Sequence, residues 1–325
     1  MAETAASGAV TYGGAGGEPA ISVTGLRMSY GNYEAVRGID LEVARGEILA
    51  FLGPNGAGKT TTTEILEGFR MRTDGSVRVL GADPAQAGPG WRARIGVVLQ
   101  TCAPERLLTV RECLRMYAGY YPRPMAVERV LELTGLTEKA GSRCDQLSGG
   151  QQRRLDVALA LIGDPELIFL DEPTTGFDPT ARRAAWDVIR GLRDLGKTVF
   201  LTTHFMDEAE ALADRIVILA AGKIVARGTP QTIGGRAAGA TVISFVLPPE
   251  VPAGELPVVP GQSSGPAGPA GPAGRGRVEI EVSEPMPALY ALTGWALERG
   301  LPLLDITVSR PSLEDIYLKL TAGSH

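Results

Sequence analysis

An unbroken apolar run, Ile48-Leu49-Ala50-Phe51-Leu52, passes directly into Gly53-Pro54-Asn55-Gly56-Ala57-Gly58-Lys59-Thr60. A short run that is apolar throughout, rather than alternating, suits a strand buried on both faces of a sheet. A helix is expected to begin at Gly58-Lys59-Thr60. Strand, glycine loop and helix in that order make a phosphate-binding loop. The glycines let backbone N–H groups curl around phosphate oxygens, and the helix directs its positive end at them. Lys59 is placed to reach the β and γ phosphates, and the Thr60 hydroxyl to bind Mg²⁺. Thr61, next along the helix, joins the same nucleotide-binding set.

Around this loop the chain alternates strands and helices. Ile21-Ser22-Val23, Met28-Ser29-Tyr30 and Ile39–Val43 read as half-buried strands, and Ser76–Leu80 as another. Ile95–Leu99, Leu167–Leu170, Val199–Thr202 and Ile216–Leu219 read as buried strands. Helices over 152–162 and around Val188-Ile189, Leu192 and Leu195 lie between them. Strands alternating with helices imply a parallel sheet covered on both sides. From about 101 to 154 helical spacing takes over, as in Val110, Cys113, Leu114 and Tyr117, so a small helical subdomain is expected to interrupt the α/β core. The chain beyond 233 reads as a ββαβα domain. Its last helix has a capping-box pattern, Ser312 with Asp315, and an apolar face of Leu313, Ile316, Tyr317 and Leu320. Residues 248–277 hold 8 Pro and 7 Gly, including three Gly-Pro-Ala triplets at 265–273. That stretch reads as an extended, disordered insertion, because collagen needs far more repeats. Residues 1–20 read as a Gly/Ala-rich disordered tail.

Composition excludes several alternatives. A chain of 325 residues with 44% hydrophobic and 21% charged residues can form more than one core. A net charge of −5 and no basic run argue against nucleic acid as the main partner. No stretch of 18 apolar residues is present to span a bilayer as a helix, and the N-terminus lacks the pattern of a secretory signal. Cys102, Cys113 and Cys144 have neither zinc nor disulfide spacing, which suits a reducing cytoplasm.

Two further motifs carry chemistry. Leu167-Ile168-Phe169-Leu170-Asp171-Glu172 delivers two carboxylates at the C-terminal end of a strand, where parallel sheets place ligands. Asp171 suits the Mg²⁺ shell, and Glu172 can polarise an attacking water as general base. Leu147-Ser148-Gly149-Gly150-Gln151 offers a second anion-binding nest ahead of a helix. One nucleotide has no need of two such loops from one chain. The economical reading is that Ser148, Gly149, Gly150 and Gln151 face the γ-phosphate of ATP bound to another copy; in isolation the pentapeptide could be only a helix cap.

With these motifs in this order, residues 21–232 resemble the nucleotide-binding subunit of an ATP-binding-cassette (ABC) transporter. The resemblance implies a P-loop NTPase core with an antiparallel β subdomain and the inserted helical subdomain, ahead of the C-terminal α+β domain. It implies that Tyr30 stacks on adenine and that Gln100 contacts Mg²⁺ and the attacking water. It implies that Asp178, in Gly176-Phe177-Asp178-Pro179, lies on a loop communicating across a dimer, and that His204 contacts the γ-phosphate. Phe177 stands where leucine is usual. Two ATP molecules would then be sandwiched in a head-to-tail homodimer.

Thr109-Val110-Arg111-Glu112, Gln151-Gln152-Arg153-Arg154-Leu155-Asp156 and Pro311–Tyr317 resemble daunorubicin-resistance-type ATPases. That resemblance implies a separate integral membrane permease of the ABC-2 type and export of a drug, lipid or polysaccharide precursor. It also implies a peripheral location at the cytoplasmic face of the membrane. The long Pro/Gly insertion departs from the compact tail usual in that group. A soluble ABC ATPase acting on ribosomes or DNA is the alternative. Such proteins usually carry tandem cassettes, coiled-coil insertions or basic arms, and none is seen here. A non-catalytic nucleotide sensor is disfavoured because Glu172 and His204 are both present.

Overall fold

β-Branched and apolar residues at alternating positions build the first strands of the chain. The computed structural model describes residues 17–98, 105–235, 241–248, 251, 255–262, 277–309 and 312–321. Its contacts divide it into two units, with the division between Ile224 and Val225. This falls ahead of the boundary at 232 expected from the motifs.

In the first unit the chain runs β1 (Ile21–Tyr30), β2 (Tyr33–Val43), β3 (Ile48–Leu52), α1 (Lys59–Leu66), β4 (Asp74–Val79), α2 (Pro89–Arg92) and β5 (Ile95–Val98). It continues through α3 (Val110–Ala118), α4 (Val127–Leu133), α5 (Gly149–Leu161), β6 (Leu167–Asp171), α6 (Pro179–Asp194), β7 (Thr198–Thr203), α7 (Met206–Leu212) and β8 (Arg215–Ala220), and the division falls within β9 (Lys223–Gly228). Strands β2, β1 and β4 form an antiparallel sheet. A six-stranded sheet has the order β5-β6-β7-β3-β8-β9, with the pairings β5–β6, β6–β7, β7–β3 and β3–β8 all parallel. Every residue of β3 and β7 is buried, as expected of central strands covered on both faces.

Each face of the parallel sheet has its own core. Phe51, Phe169, Phe200 and Leu219 pack with Ile65 and Leu66 of α1 and with Ile21, Val36 and Val77 of the antiparallel sheet. On the other face Ile168, Leu170, Val199 and Leu201 meet Val157 and Leu161 of α5, Ile189 and Leu192 of α6, and Leu212 of α7. The helical subdomain has a third core, where Val110, Cys113 and Leu114 of α3 meet Val130 and Leu131 of α4 and Leu155 and Ala158 of α5. Thr109 starts α3 with a reciprocal capping box: its amide donates to Glu112 Oε2 at 2.9 Å and its hydroxyl accepts from the Glu112 amide at 3.2 Å. Helix α5 belongs to both the second and third cores, so it joins the subdomain to the sheet.

The second unit comprises β10 (Thr241–Val246), β11 (Arg277–Val282), α8 (Pro285–Glu298), β12 (Leu304–Ser309) and α9 (Leu313–Thr321), the ββαβα order expected. Its strands form an antiparallel sheet in the order β11-β10-β12. Ile243, Phe245, Val278 and Ile280 pack against Ala288, Leu292 and Trp295 of α8. The Ser312 hydroxyl accepts from the Asp315 amide at 3.1 Å, completing the cap of α9.

Two expectations need correction. Residues 255–262 fall inside the stretch read as a disordered insertion, yet they pack: Val259 is 2% exposed and Gln262 bridges to Val282. Isolated apolar residues among prolines can fill a core that periodicity does not reveal. The triplets at 265–273 lie outside the described residues. At the N-terminus the tail expected over 1–20 ends earlier, because the Ala20 amide donates to Val43 O at 2.8 Å and Ala20 is fully buried. Residues 1–16 lie outside the described residues.

Two stability predictions follow from packing and charge. A Cβ on Gly96 would lie 2.6 Å from the Ala160 carbonyl of α5, whereas one on Gly191 in α6 meets nothing within 4 Å. Gly96→Ala should lower unfolding free energy by about 1–3 kcal/mol, and Gly191→Ala should raise it by up to about 1 kcal/mol, read by urea denaturation. Glu166 receives Arg94 Nε at 2.5 Å and Arg45 Nη1 at 2.7 Å, tying the segments that enter β5, β3 and β6. Arg94 foremost, and then Arg45, hold the Glu166 carboxyl down at about 2, below its ordinary 4.5. A lowered folded-state pKa gives stability that is present above 4.5 and lost as pH falls towards 2. Glu166→Gln should therefore be less stable than the parent at pH 7, with the gap closing between pH 4.5 and pH 2.

Candidate functional site

Parallel register gathers the site at one edge of the sheet. Leu52 pairs with Thr203, and Asp171 pairs with Thr202, so β3, β6 and β7 end side by side. Each then releases a chemically distinct segment: the glycine loop, Glu172 and His204.

The loop's glycines have two separate reasons. Gly56 and Gly58 take φ of +80° and +103°, which L side chains rarely adopt. Gly53 has no such angle, but a Cβ there would lie 2.3 Å from the Leu219 carbonyl oxygen. One on Gly58 would lie 2.5 Å from the Ala35 carbonyl. The loop is therefore pressed against β8 and β2, a constraint that adds to the clearance phosphates require.

A cleft of about 590 Å³ opens over this edge, lined by Tyr30, Tyr33, Ala35, Pro54, Asn55, Gly56, Gly58, Lys59, Thr60, Thr61, Asp171, Glu172 and His204. Lys59 is 8% exposed, and its Nζ donates to Gly53 O at 2.6 Å and to Pro54 O at 3.2 Å. Burial lowers its pKa, while the Glu172 and Asp171 charges oppose that shift. Gly53 and Ala57 shape the loop from behind without lining the cleft.

Asp171 Oδ1 accepts a short hydrogen bond from the Thr202 hydroxyl. The Glu172 amide donates to Thr202 O at 3.0 Å and lies 3.3 Å from its Oγ1. Glu172 has φ +45°, a left-handed backbone that is strained for a residue with a side chain. The turn aims its carboxylate across the cleft, where Oε1 lies 3.1 Å from His204 Nδ1 and Oε2 accepts from the Thr175 hydroxyl at 3.2 Å. The His204 ring packs on Phe205 at 4.1 Å between centroids. A carboxylate paired with an imidazole, next to a lysine at a helix N-terminus, can orient and deprotonate a water beside a phosphate.

Thr60 and Asp171 both line the cleft and supply hard oxygen donors. Among the described residues no group of three or more His, Cys, Asp or Glu side chains gathers to hold a metal. A hydroxyl and one carboxylate, completed by phosphate oxygens and water, are a donor set that fits Mg²⁺.

Tyr30 stands at the mouth, its hydroxyl 3.4 Å from Thr61 Oγ1 and its ring under the Arg70 guanidinium at 5.3 Å. Tyr33 stands beside it and donates to Gly56 O at 3.4 Å. Ser148, Gly149, Gly150, Gln151 and Asp178 do not line this cleft. Ser148 caps α5 reciprocally with Gln151: the Ser148 amide donates to Gln151 Oε1 at 3.0 Å, and its hydroxyl accepts from the Gln151 amide at 3.4 Å. Asp178 caps α6, accepting from the Thr180 and Ala181 amides at 2.8 and 2.9 Å. Gln100 lies outside the described residues.

Sequence reasoning missed Tyr33, Thr202 and Glu67. Tyr33 was legible as a second aromatic near Tyr30. Thr202 looks like any strand threonine until β6 and β7 are aligned. Glu67, 5% exposed at the end of α1, is pushed up to about 8 by burial first and then by the charges of Asp171 and Glu64. That shift favours its uncharged form behind the phosphate loop.

The sheet, the glycine loop and the acidic strand end define a P-loop nucleotide hydrolase with an antiparallel β subdomain and an inserted helical subdomain. The ABC transporter family description matches residues 36–175, and that of the ABC transporter domain-containing protein-like C-terminal domain matches 241–312. A Nod factor export ATP-binding protein I from Ralstonia nicotianae is 36% identical over 313 residues, 95% of each chain. A daunorubicin resistance ATP-binding protein from Streptomyces coeruleorubidus is 34% identical over 309 residues, 94% of this chain and 96% of that one. Among solved structures, an ATP binding subunit of an ABC transporter aligns with a TM-score of 0.58 at 29% identity, covering 65% of this chain and 90% of that one. A dimeric, post-hydrolysis ATP-binding cassette bound to ADP and Pi aligns with a TM-score of 0.57 at 26% identity, covering 64% and 98%. The chain belongs to the ABC transporter family, as one of its ATP-binding, ATP-hydrolysing subunits.

The Thr202 hydroxyl links both acids of the site. Thr202→Val should lower unfolding free energy by about 1–3 kcal/mol, because Asp171 loses its buried donor, while Thr202→Ser should stay close to the parent in the same urea titration.

Proposed function

We propose that this chain is the energy-coupling ATPase of an exporter whose membrane-spanning half is a separate permease of the ABC-2 type. The reading rests on the placement of Glu172, 3.1 Å from His204 and across the cleft from Lys59. Relatives named for Nod factor export and daunorubicin resistance, alike over nearly the whole length and through the C-terminal domain, support the exporter reading. Among the described residues no helix is long and apolar enough to cross a membrane, so this chain would act from the cytoplasmic face beside a partner that does cross.

The residue roles are assigned by the family resemblance, and the lining of the cleft supports those of Tyr30, Lys59, Thr60, Asp171, Glu172 and His204. Tyr30 stacks on the adenine, and residues 53–61 bind the phosphates, with Lys59 neutralising the β and γ oxygens. Thr60 and Asp171, together with Gln100, hold Mg²⁺, which supplies charge neutralisation when bound. Glu172 takes a proton from the attacking water, and His204 fixes the carboxylate and approaches the γ-phosphate. Ser148, Gly149, Gly150 and Gln151 close over the nucleotide of a second copy, and Asp178 lies on the loop between the two sites. An anion-binding helix N-terminus that does not line its own chain's cleft is explained by such a head-to-tail homodimer. The cargo, a drug, lipid or polysaccharide-type molecule, would be selected by the permease.

Glu172→Gln removes the base while keeping the shape of the side chain. ATP turnover should fall by about 10²–10⁴-fold, and size-exclusion chromatography in Mg-ATP should show a dimer that the parent forms only transiently. Unchanged turnover in this variant would refute the assignment of Glu172.

A further inference from the structure

Arg153 lies one turn beyond the Ser148-Gly149-Gly150 cap of α5 and is only 7% exposed. Its guanidinium turns inward. Nε donates to Pro173 O at 3.1 Å, and Nη2 donates to Asp171 O at 2.8 Å. The residue between those two carbonyls is Glu172, the one with the left-handed backbone. Asp156, one helical turn on and 5% exposed, places Oδ2 3.6 Å from Arg153 Nη1. Burial lifts the Asp156 carboxyl to about 6, a shift that the neighbouring Arg153 charge opposes.

A buried charge is a poor source of stability compared with an apolar side chain of similar volume. Its presence here calls for a geometric reason. A planar fork can hold two carbonyls two residues apart, which an ammonium cannot do with the same rigidity. A left-handed glutamate persists only where its neighbours over-determine it. Arg153 holds the backbone on both sides of Glu172, and so contributes to the direction in which that carboxylate points.

The fork is carried on the helix that starts at the second anion-binding loop. Ser148 and Arg153 are separated by about 7.5 Å along the axis of a hydrogen-bonded rod. A small displacement of the cap therefore reaches the Asp171 and Pro173 carbonyls with little loss.

We propose that Arg153 is a positioning residue that couples the two nucleotide sites of the dimer. It transmits closure of the Ser148 loop on the partner's nucleotide to the backbone that aims this chain's own Glu172. The inference rests on the head-to-tail dimer proposed above. Its consequence is cooperative hydrolysis: nucleotide at one site aligns the base at the other. Nucleotide affinity at the phosphate loop, set by Lys59 and residues 53–61, stays nearly unchanged.

The test is ATP turnover against ATP concentration for the full chain in Mg²⁺ buffer, with binding of a fluorescent ATP analogue measured in parallel. The parent should show a Hill coefficient well above 1. Arg153→Lys keeps the charge opposite Asp156 but not the two-carbonyl grip. It should bring the coefficient close to 1 and lower kcat about tenfold, with analogue affinity within about twofold of the parent. Arg153→Met should do the same more severely; should it fail to fold, the lysine variant alone decides. An arginine that merely pins the fold would lower the melting temperature and leave the Hill coefficient and kcat of the folded lysine variant at parental values, and that result overturns the inference. A parent that turns over ATP with a Hill coefficient of 1, or does not turn it over at all, overturns the two-site ATPase reading beneath it.

Discussion

The structure turns on the alignment of β3, β6 and β7 at their C-terminal ends. Parallel pairing brings Leu52, Asp171 and Thr203 to one edge, and Thr202 then holds Asp171 through its hydroxyl and Glu172 through its carbonyl. Everything chemical follows from that register. A slip of one residue in β6 would turn Asp171 to the opposite face of the sheet and separate the acids from the phosphate loop. The fully buried apolar runs of the central strands, packed on two independent cores, are what hold the register.

The second dependence is on close packing behind the phosphate loop. Gly53 and Gly58 are pressed against the carbonyls of Leu219 and Ala35, so the loop's shape is imposed by β8 and β2 as well as by its own backbone preferences. Lys59 is buried beside two carboxylates, and Glu67 behind them is pushed to about 8. The strain at Glu172 is sustained by Thr202, by Thr175 and by the grip of Arg153 on the flanking carbonyls.

Much of the site was legible in the sequence because its motifs are local. Gly53–Thr60 is a contiguous loop between a buried strand and a helix. Asp171-Glu172 ends an apolar strand, and Ser148–Gln151 carries its own capping box. The order of the C-terminal elements was legible for the same reason, since hydrophobic period and a helix cap are short-range signals. The packed segment 255–262 was not, because Leu256 and Val259, separated by Pro257 and an exposed Val258, have no period to read.

The identity and order of the chemical groups are written in the chain: a lysine after a glycine loop, two adjacent acids, a histidine after a buried strand, and a second glycine loop before a helix. These are properties of a few neighbouring residues and survive without knowledge of the fold. Which of these groups meet is a matter of folding. It brought His204 to Glu172 across 32 positions of chain, assigned Thr202 to both acids, left the Ser148 loop out of its own chain's cleft, and turned Arg153 inward onto the backbone of Asp171 and Pro173. Those pairings depend on strand register and helix packing between segments far apart in the chain, and no local pattern of residue types encodes them.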